Sequence, residues 1–200
     1  MKPAPPSPKQ IWRARLRQEL DQHPLAERHH DSTRLRQLLA QSTPWQSARS
    51  LLLYTPRPDE PDLTPLALTA LADGKQIALP RYRPADDTYE TALISHWSRD
   101  LLPGHYGLLE PSPACPIIPL NQLDLLLIPA VAFDVLGRRL GRGKGYYDRL
   151  LDHTHAVRCG VAFDWQVVQQ LPAEPHDAPM NYLATPTRWL AFQSPPDPRP

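Results

Sequence analysis

Residues 137–148 read Gly-Arg-Arg-Leu-Gly-Arg-Gly-Lys-Gly-Tyr-Tyr-Asp, so Gly137, Gly141, Gly143 and Gly145 alternate with Arg138, Arg139, Arg142 and Lys144. Residues of these types at this spacing can hold a phosphate. Glycine lets the backbone turn tightly and brings N–H groups against an anion, and a helix starting just beyond adds its dipole. The cations add charge that a plain turn would not need. Two familiar phosphate motifs do not fit. A Walker A loop would need a glycine at position 138, which is Arg, and a hydroxyl at position 145, which is Gly; a dinucleotide fingerprint would need a third glycine at Tyr146. The competing reading is a solvated basic connection with flexible glycines. The two tyrosines and Asp148 that follow favour the anion cradle.

Such a loop has to be carried by a strand before it and a helix after it. The run Leu-Asp-Leu-Leu-Leu-Ile at 123–128, stopped by Pro129, predicts a buried strand, and 146–151 predicts a helix. Ligands bind at the carboxyl ends of such strands in open parallel sheets. Further strands are predicted at 50–54, 76–80, 91–97, 157–163 and 189–192, with a helix at 63–72. Ahead of them, Ile11, Trp12, Leu16 and Leu20 recur at helical spacing, Pro24 breaks the pattern, and a second helix is expected over 25–41, closed by Pro44. Lys9 and Arg13, four apart, share a face of the first helix; spacing alone suits a solvated face as well as a site. Strands separated by helical segments predict an α/β fold: a single domain with a largely parallel central sheet flanked by helices and an N-terminal helical pair.

Composition narrows the class. With 200 residues, one domain is the expectation. Proline is abundant at 26 residues, yet four lie in the first eight positions, four in the last six and none between Pro129 and Pro172, the window in which half of the eight glycines crowd into residues 137–145. Residues 1–8 and 194–200 therefore read as disordered proline-rich tails around a domain at 9–193. A 41% hydrophobic content excludes wholesale disorder, no apolar run is long enough for a membrane span, and the N-terminus has no apolar secretory region. Cys115 and Cys159 give neither a disulfide framework nor a zinc site. A net charge of +1 gives no general reason to expect nucleic acid. A cytoplasmic, monomeric enzyme without a membrane partner is expected.

The residues also carry a resemblance. Ala130-Val-Ala-Phe-Asp134, followed by Gly137-x-Arg139-Leu-Gly-x-Gly-Lys-Gly-Tyr-Tyr-Asp148, resembles the signature of the 5-formyltetrahydrofolate cyclo-ligase family. Lys9-x-x-x-Arg13, Glu60-x-Asp62, Tyr106-Gly107 with Glu110-Pro111, Gly160-x-Ala162-Phe163, Gln166, Leu171-Pro172 and His176-Asp177-x-Pro179-Met180 follow in the family's order. The resemblance covers about 9–192. It implies ATP- and Mg²⁺-dependent closure of 5-formyltetrahydrofolate to 5,10-methenyltetrahydrofolate, with ADP and phosphate released through a phosphorylated formyl (iminium phosphate) intermediate.

It also implies roles for residues. Lys9, Arg13, Arg139, Gly141, Arg142, Gly143, Lys144, Gly145, Tyr146 and Tyr147 would hold ATP; Lys144, with Arg142 and Tyr147, would act on the transferred phosphoryl group. Asp148 and Asp177 would hold Mg²⁺, and Thr55, Glu60 and Tyr146 would contact the folate. Tyr146 and Tyr147 also pair with Leu150 and Leu151 at i,i+4, so a core role competes with the ligand role. Two alternatives stay open: a non-catalytic nucleotide- or RNA-binding protein, against which the two aspartates argue by repelling phosphate in the absence of a cation, and an ATP-dependent enzyme acting on another N-formyl substrate, which the altered segment around Glu60 keeps in play.

Overall fold

The computed structural model describes residues 5–151, 154–172, 174 and 178–192. Helix α1 (Pro8–Leu20) starts from a reciprocal cap. The Ser7 hydroxyl accepts the Gln10 N–H at 3.3 Å, the Ser7 N–H donates to Gln10 Oε1 at 2.7 Å, and Pro8 occupies a first-turn position that needs no N–H. Then follow α2 (Leu25–Gln41), α3 (Thr43–Ser47), β1 (Ser50–Leu52), α4 (Thr64–Ala72) and the strands β2 (Gln76–Arg83) and β3 (Thr88–Ile94). After α5 (Trp97–Asp100) come β4 (Leu101–Pro103), β5 (Leu109–Pro111), β6 (Leu125–Pro129), β7 (Ala132–Asp134) and β8 (Arg139–Leu140). Helix α6 (Tyr146–Leu151) precedes β9 (Val157–Val161), β10 (Val167–Val168), β11 (Tyr182–Ala184) and β12 (Trp189–Ala191).

Seven strands form the main sheet in the order β12-β11-β9-β6-β1-β2-β3. Its five central members are mutually parallel, and an antiparallel strand closes each edge. The predicted α/β class is therefore the observed one. Alternation along β1 divides the core: Leu51 and Leu53 join Leu35, Leu39, Trp45 and Leu66 on one face, and Leu52 joins Leu126, Ile128, Phe133 and Leu151 on the other. Each of these fully buried side chains contributes roughly 1.5–3 kcal/mol of transfer free energy. Gly160 in β9 leaves room for a ring, since a Cβ there would lie 2.5 Å from Phe133 Cε1. A third cluster, Leu16 with Ala132, Leu140 and Leu171, seats α1 on the small sheet β10-β7-β8.

Several local expectations shift. Ile11, grouped with the apolar side of α1, is 56% exposed, and only Leu16 on that helix is buried. Pro44 opens α3 in its first turn instead of merely closing α2. Pro80 lies inside β2, opposite Thr91 of β3 and two positions past the β1-paired segment that ends at Ala78, so its missing N–H deprives no β1 partner. The strand expected at 91–97 is β3, which begins at Thr88 and ends before the α5 turn at Trp97.

Candidate active site

The sheet order reverses between β1 and β6, which places a crevice at their carboxyl ends. A cleft of about 340 Å³ lies there. Tyr54 and Thr55 follow β1, Pro129 and Ala130 end β6, and the stretch from Arg139 to Asp148 forms a further wall. Five basic side chains (Arg17, Arg57, Arg139, Arg142, Lys144) face three carboxylates (Glu60, Glu110, Asp148) around it, so the lining favours an anion. The other half is apolar and aromatic, with Pro80, Tyr89, Tyr106, Leu108 and Tyr146.

The glycine loop is held from below by Asp134. This fully buried carboxylate accepts the N–H groups of Leu136 (3.0 Å) and Arg138 (2.9 Å) on Oδ1 and that of Leu171 (2.9 Å) on Oδ2. From the side, Arg13 Nε donates to the Gly141 carbonyl at 2.8 Å. Gly143 has φ +100°, and a Cβ there would lie 3.3 Å from the Arg13 guanidinium, so both the backbone turn and the close approach of α1 call for glycine. Gly145, at φ +66°, makes the turn into α6.

Arg139 is largely buried, pairs with Asp148 and lies over the Tyr147 ring at 5.5 Å. Arg142 Nη2 reaches across the cleft to Asp59 Oδ1 (2.7 Å) and Glu60 Oε1 (2.9 Å), and Glu60 Oε2 accepts the Arg57 N–H at 3.0 Å. Burial raises the Glu60 carboxyl above its ordinary pKa, and Arg142 opposes that shift. Burial also pushes the Tyr147 hydroxyl well up, with the Glu60 charge adding to it, so it stays protonated at neutral pH. Tyr89 is raised to about 12, first by burial and then by the Glu110 charge. At the mouth, Asp87 Oδ1 accepts from both Tyr82 and Tyr146 hydroxyls at 2.9 Å, and Arg149 Nη2 donates to the Asp87 carbonyl at 3.1 Å, tying the β2–β3 turn to α6.

Ten of the expected site residues converge on the cleft: Thr55, Glu60, Arg139, Gly141, Arg142, Lys144, Gly145, Tyr146, Tyr147 and Asp148. Tyr147 serves both of its competing roles, since it lines the cleft and packs against the core that contains Leu151. Arg13 lies one step away, in a small cavity of about 50 Å³ shared with Arg17, Arg142 and Trp165. Lys9 is not part of the cleft wall; its Nζ pairs with Glu174 Oε2 at 3.2 Å. Asp177 lies outside the described residues. Among the described residues no group of three His, Cys, Asp or Glu side chains is placed to hold a metal; Asp148 lines the cleft where the glycine loop enters α6.

Several residues of the site have no local sequence pattern. Gln166 is buried, accepts the Phe163 N–H (2.8 Å) and donates to the carbonyls of Ala130 and Asp59 (3.2 Å each), fixing the Asp59–Glu60 turn against the end of β6. Asp87, Tyr89, Arg17 and Arg57 enter the site only because the β2–β3 hairpin, α1 and the turn after β1 are folded around one crevice.

A glycine- and arginine-rich loop at the switch point of a largely parallel sheet, in a cleft that tyrosines also line, defines an α/β protein with a crevice suited to an anionic ligand. The comparisons with known proteins narrow this class. The model of the 5-formyltetrahydrofolate cyclo-ligase family matches residues 6–186. The 5-formyltetrahydrofolate cyclo-ligase of Mycolicibacterium smegmatis is 36% identical over 151 residues, covering 72% of this chain and 77% of the relative. That of Escherichia coli K12 is 33% identical over 145 residues, covering 70% and 80%. The solved structure of Aquifex aeolicus 5,10-methenyltetrahydrofolate synthetase superposes with a TM-score of 0.85 at 28% identity, covering 96% of this chain and 97% of that one. The chain belongs to the 5-formyltetrahydrofolate cyclo-ligase family.

Proposed function

We propose that this protein closes 5-formyltetrahydrofolate to 5,10-methenyltetrahydrofolate at the expense of ATP. The observation that carries the reading is the mixed lining of the cleft: a cationic glycine loop together with tyrosines and apolar residues from β2, β3 and the β4–β5 turn. The loop suits the phosphates, the aromatic half suits a pterin, and family membership supplies the reaction.

The formyl oxygen is a poor leaving group. Its attack on the γ-phosphorus, with loss of ADP, would convert it to a phosphate ester of the iminium. N10 would then add to the formyl carbon, the C–O bond would break with the oxygen leaving in inorganic phosphate, and N10 would lose its proton. Such chemistry asks for positioning and neutralised charge without a nucleophilic side chain. Lys144, unencumbered by the ion pairs that hold Arg139 and Arg142, is assigned the charge that develops on the transferred group. The Gly141–Gly145 backbone and Arg13 would position the remaining phosphates.

The residues present also fit Mg²⁺. A divalent cation of this kind keeps several waters and takes one or two carboxylates plus phosphate oxygens, and Asp148, whose Oδ1 pairs with Arg139, would offer its other oxygen where the loop enters α6. Asp177 is proposed as the second. Thr55, Glu60 and Tyr146 are assigned to the folate side, Glu60 in part by holding Arg142 across the cleft. The test is an assay of ADP release together with the absorbance of methenyltetrahydrofolate. Both should require 5-formyltetrahydrofolate, and ATP turnover indifferent to any folate would sink the proposal.

A further inference from the structure

The cleft holds two buried glutamates whose situations differ. Glu60 is satisfied on both oxygens, by Arg142 and by the Arg57 N–H. Glu110 is not. Its Oε2 accepts the Tyr82 N–H at 3.1 Å, while Oε1 is buried without any hydrogen-bond partner. Among the described residues it forms no ion pair, and burial is the main cause that raises its carboxyl above the ordinary range, opposed by the Tyr82 and His105 N–H groups and by the nearby His105 and Arg81 side chains. An ionised oxygen shielded from water and left unpaired is costly, so its retention in a cleft points to a partner that arrives from outside.

The surrounding chain is shaped around this carboxylate. Glu110 lies on β5 opposite Leu102 of β4, and the turn between these strands folds back over it. Gly104 in that turn sits close against it, since a Cβ there would lie 2.6 Å from both Glu110 Cδ and Oε2 and would displace the carboxylate. Tyr106, two residues on, adopts a left-handed φ of +57°, a conformation that non-glycine residues seldom take. His105 stacks on Tyr82 with ring centroids 3.8 Å apart, which pins the turn to the β2 residue whose N–H holds Oε2. On the cleft side stand Tyr89, Tyr106 and Tyr146, of which Tyr89 and Tyr146 meet edge to face at 4.9 Å. The arrangement is a hydrogen-bond acceptor beside aromatic walls, which suits the edge of a flat heterocycle carrying N–H donors.

We propose that Glu110 reads the aminopyrimidinone edge of the substrate, its oxygens accepting the ring N3–H and the exocyclic 2-amino group. The inference rests on the folate reading above and adds to it the residue that selects the heterocycle. A carboxylate oxygen has lone pairs enough for Oε2 to keep the Tyr82 N–H while accepting one donor more. The pair of donors on the ring matches the pair of oxygens, and the ligand supplies the partner that Oε1 lacks.

The experiment measures binding without ATP, by tyrosine fluorescence or calorimetry, for 5-formyltetrahydrofolate and for its 2-desamino analogue. Wild type should prefer the parent by about 10–100-fold, the range expected when a hydrogen bond to a charged group is lost. Glu110→Gln places an amide where an acceptor is needed; it should weaken the parent by a similar factor, leave the analogue nearly unchanged and erase the preference. The KM for ATP should stay within about twofold, because the variant touches only the folate half. A variant that retains wild-type affinity and preference overturns the inference, as does a wild type indifferent to the 2-amino group. Should Glu110→Gln melt below the working temperature, Glu110→Asp, which keeps the charge but shortens the reach, should bind the parent more weakly, and wild-type affinity in it overturns the inference equally. Absence of any 5-formyltetrahydrofolate binding by wild type refutes the folate reading itself, an outcome distinct from failure of the Glu110 assignment.

Discussion

Replacing Asp134 tests whether the phosphate loop owes its shape to a buried carboxylate. In Asp134→Ala three backbone N–H groups, those of Leu136, Arg138 and Leu171, lose their acceptor at once. The Leu171 bond is buried, and a charge-assisted bond there contributes roughly 1.5–3 kcal/mol. The other two are partly buried and contribute about 1 kcal/mol each, so the total is about 4 kcal/mol, a large fraction of the 5–15 kcal/mol typical of a domain. With a urea slope of about 2 kcal/mol/M, the unfolding midpoint should fall by about 2 M. Asp134→Asn separates the contributions. Its Oδ1 can still serve Leu136 and Arg138, but its amide would face the Leu171 N–H donor to donor, so it should lose about half as much as alanine. Urea unfolding followed by tryptophan fluorescence reads both variants. A loss below about 1 kcal/mol in the alanine variant, or equal losses in the two, would refute the claim that this carboxylate anchors the loop.

Other expectations can be checked as directly. Lys144→Ala should lower turnover by about 10²–10³-fold with an unchanged melting temperature, because the side chain is exposed and its charge is the one proposed to act on the transferred group; single-turnover kinetics would detect unimpaired chemistry. Asp148→Asn should raise the Mg²⁺ concentration needed for half-maximal turnover, and an unaltered Mg²⁺ titration would argue against its metal role. Gly160→Ala should cost about 1–3 kcal/mol, because the new methyl meets the buried Phe133 ring; a neutral effect in urea unfolding would contradict the packing. Asp100 is held below its ordinary pKa first by the Arg99 guanidinium and then by the Ser95 and His96 N–H groups, and Asp124 first by the Arg49 N–H, with Ser50 also contributing. Depressed carboxyls stabilise the fold above their unfolded pKa of about 3.9 and lose that contribution as pH falls through the folded values. Asp100→Asn and Asp124→Asn should therefore destabilise at pH 7 and progressively less below about pH 4; a pH-independent penalty would contradict this.

The phosphate wall is legible in the sequence because its parts are contiguous. Gly141, Gly143, Gly145, Lys144 and Asp148 fall within one loop and helix start, so residue type and spacing alone define what they can hold. The same holds for β6 and α2, whose apolar patterns are local. The rest of the site depends on pairings between distant positions. Gln166 matters because its amide meets the Asp59 carbonyl 107 positions away, and nothing near Gln166 in the chain announces that contact. Pro80 misleads in a related way: proline ends a strand only where the neighbour on its N–H side needs that donor, and here β1 has already stopped. The β4–β5 hairpin is harder still, since Glu110 acquires its significance from Gly104 and from an N–H on β2. A buried polar residue looks like a surface one until the fold has closed over it.

Arg142 shows how these distant pairings make one site of two walls. It belongs to the glycine loop by sequence, yet its guanidinium is spent on Asp59 and Glu60, 83 and 82 positions away. A nearly buried Glu60 without that partner would carry an uncompensated charge, which is far more costly than the pair itself is stabilising. The phosphate loop and the turn after β1 are therefore favoured together, each supplying the charge the other needs. Gln166 acts on the same turn from the end of β6, so the crevice is braced from both strands that define it. This bracing spends Arg142 and Glu60 on each other, whereas Lys144 enters no ion pair among the described residues and Glu110 keeps a buried oxygen without a hydrogen-bond partner. A cation for phosphate and an acceptor for a heterocycle, held in one braced crevice, is an arrangement that suits the proposed phosphoryl transfer from ATP to a folate formyl oxygen.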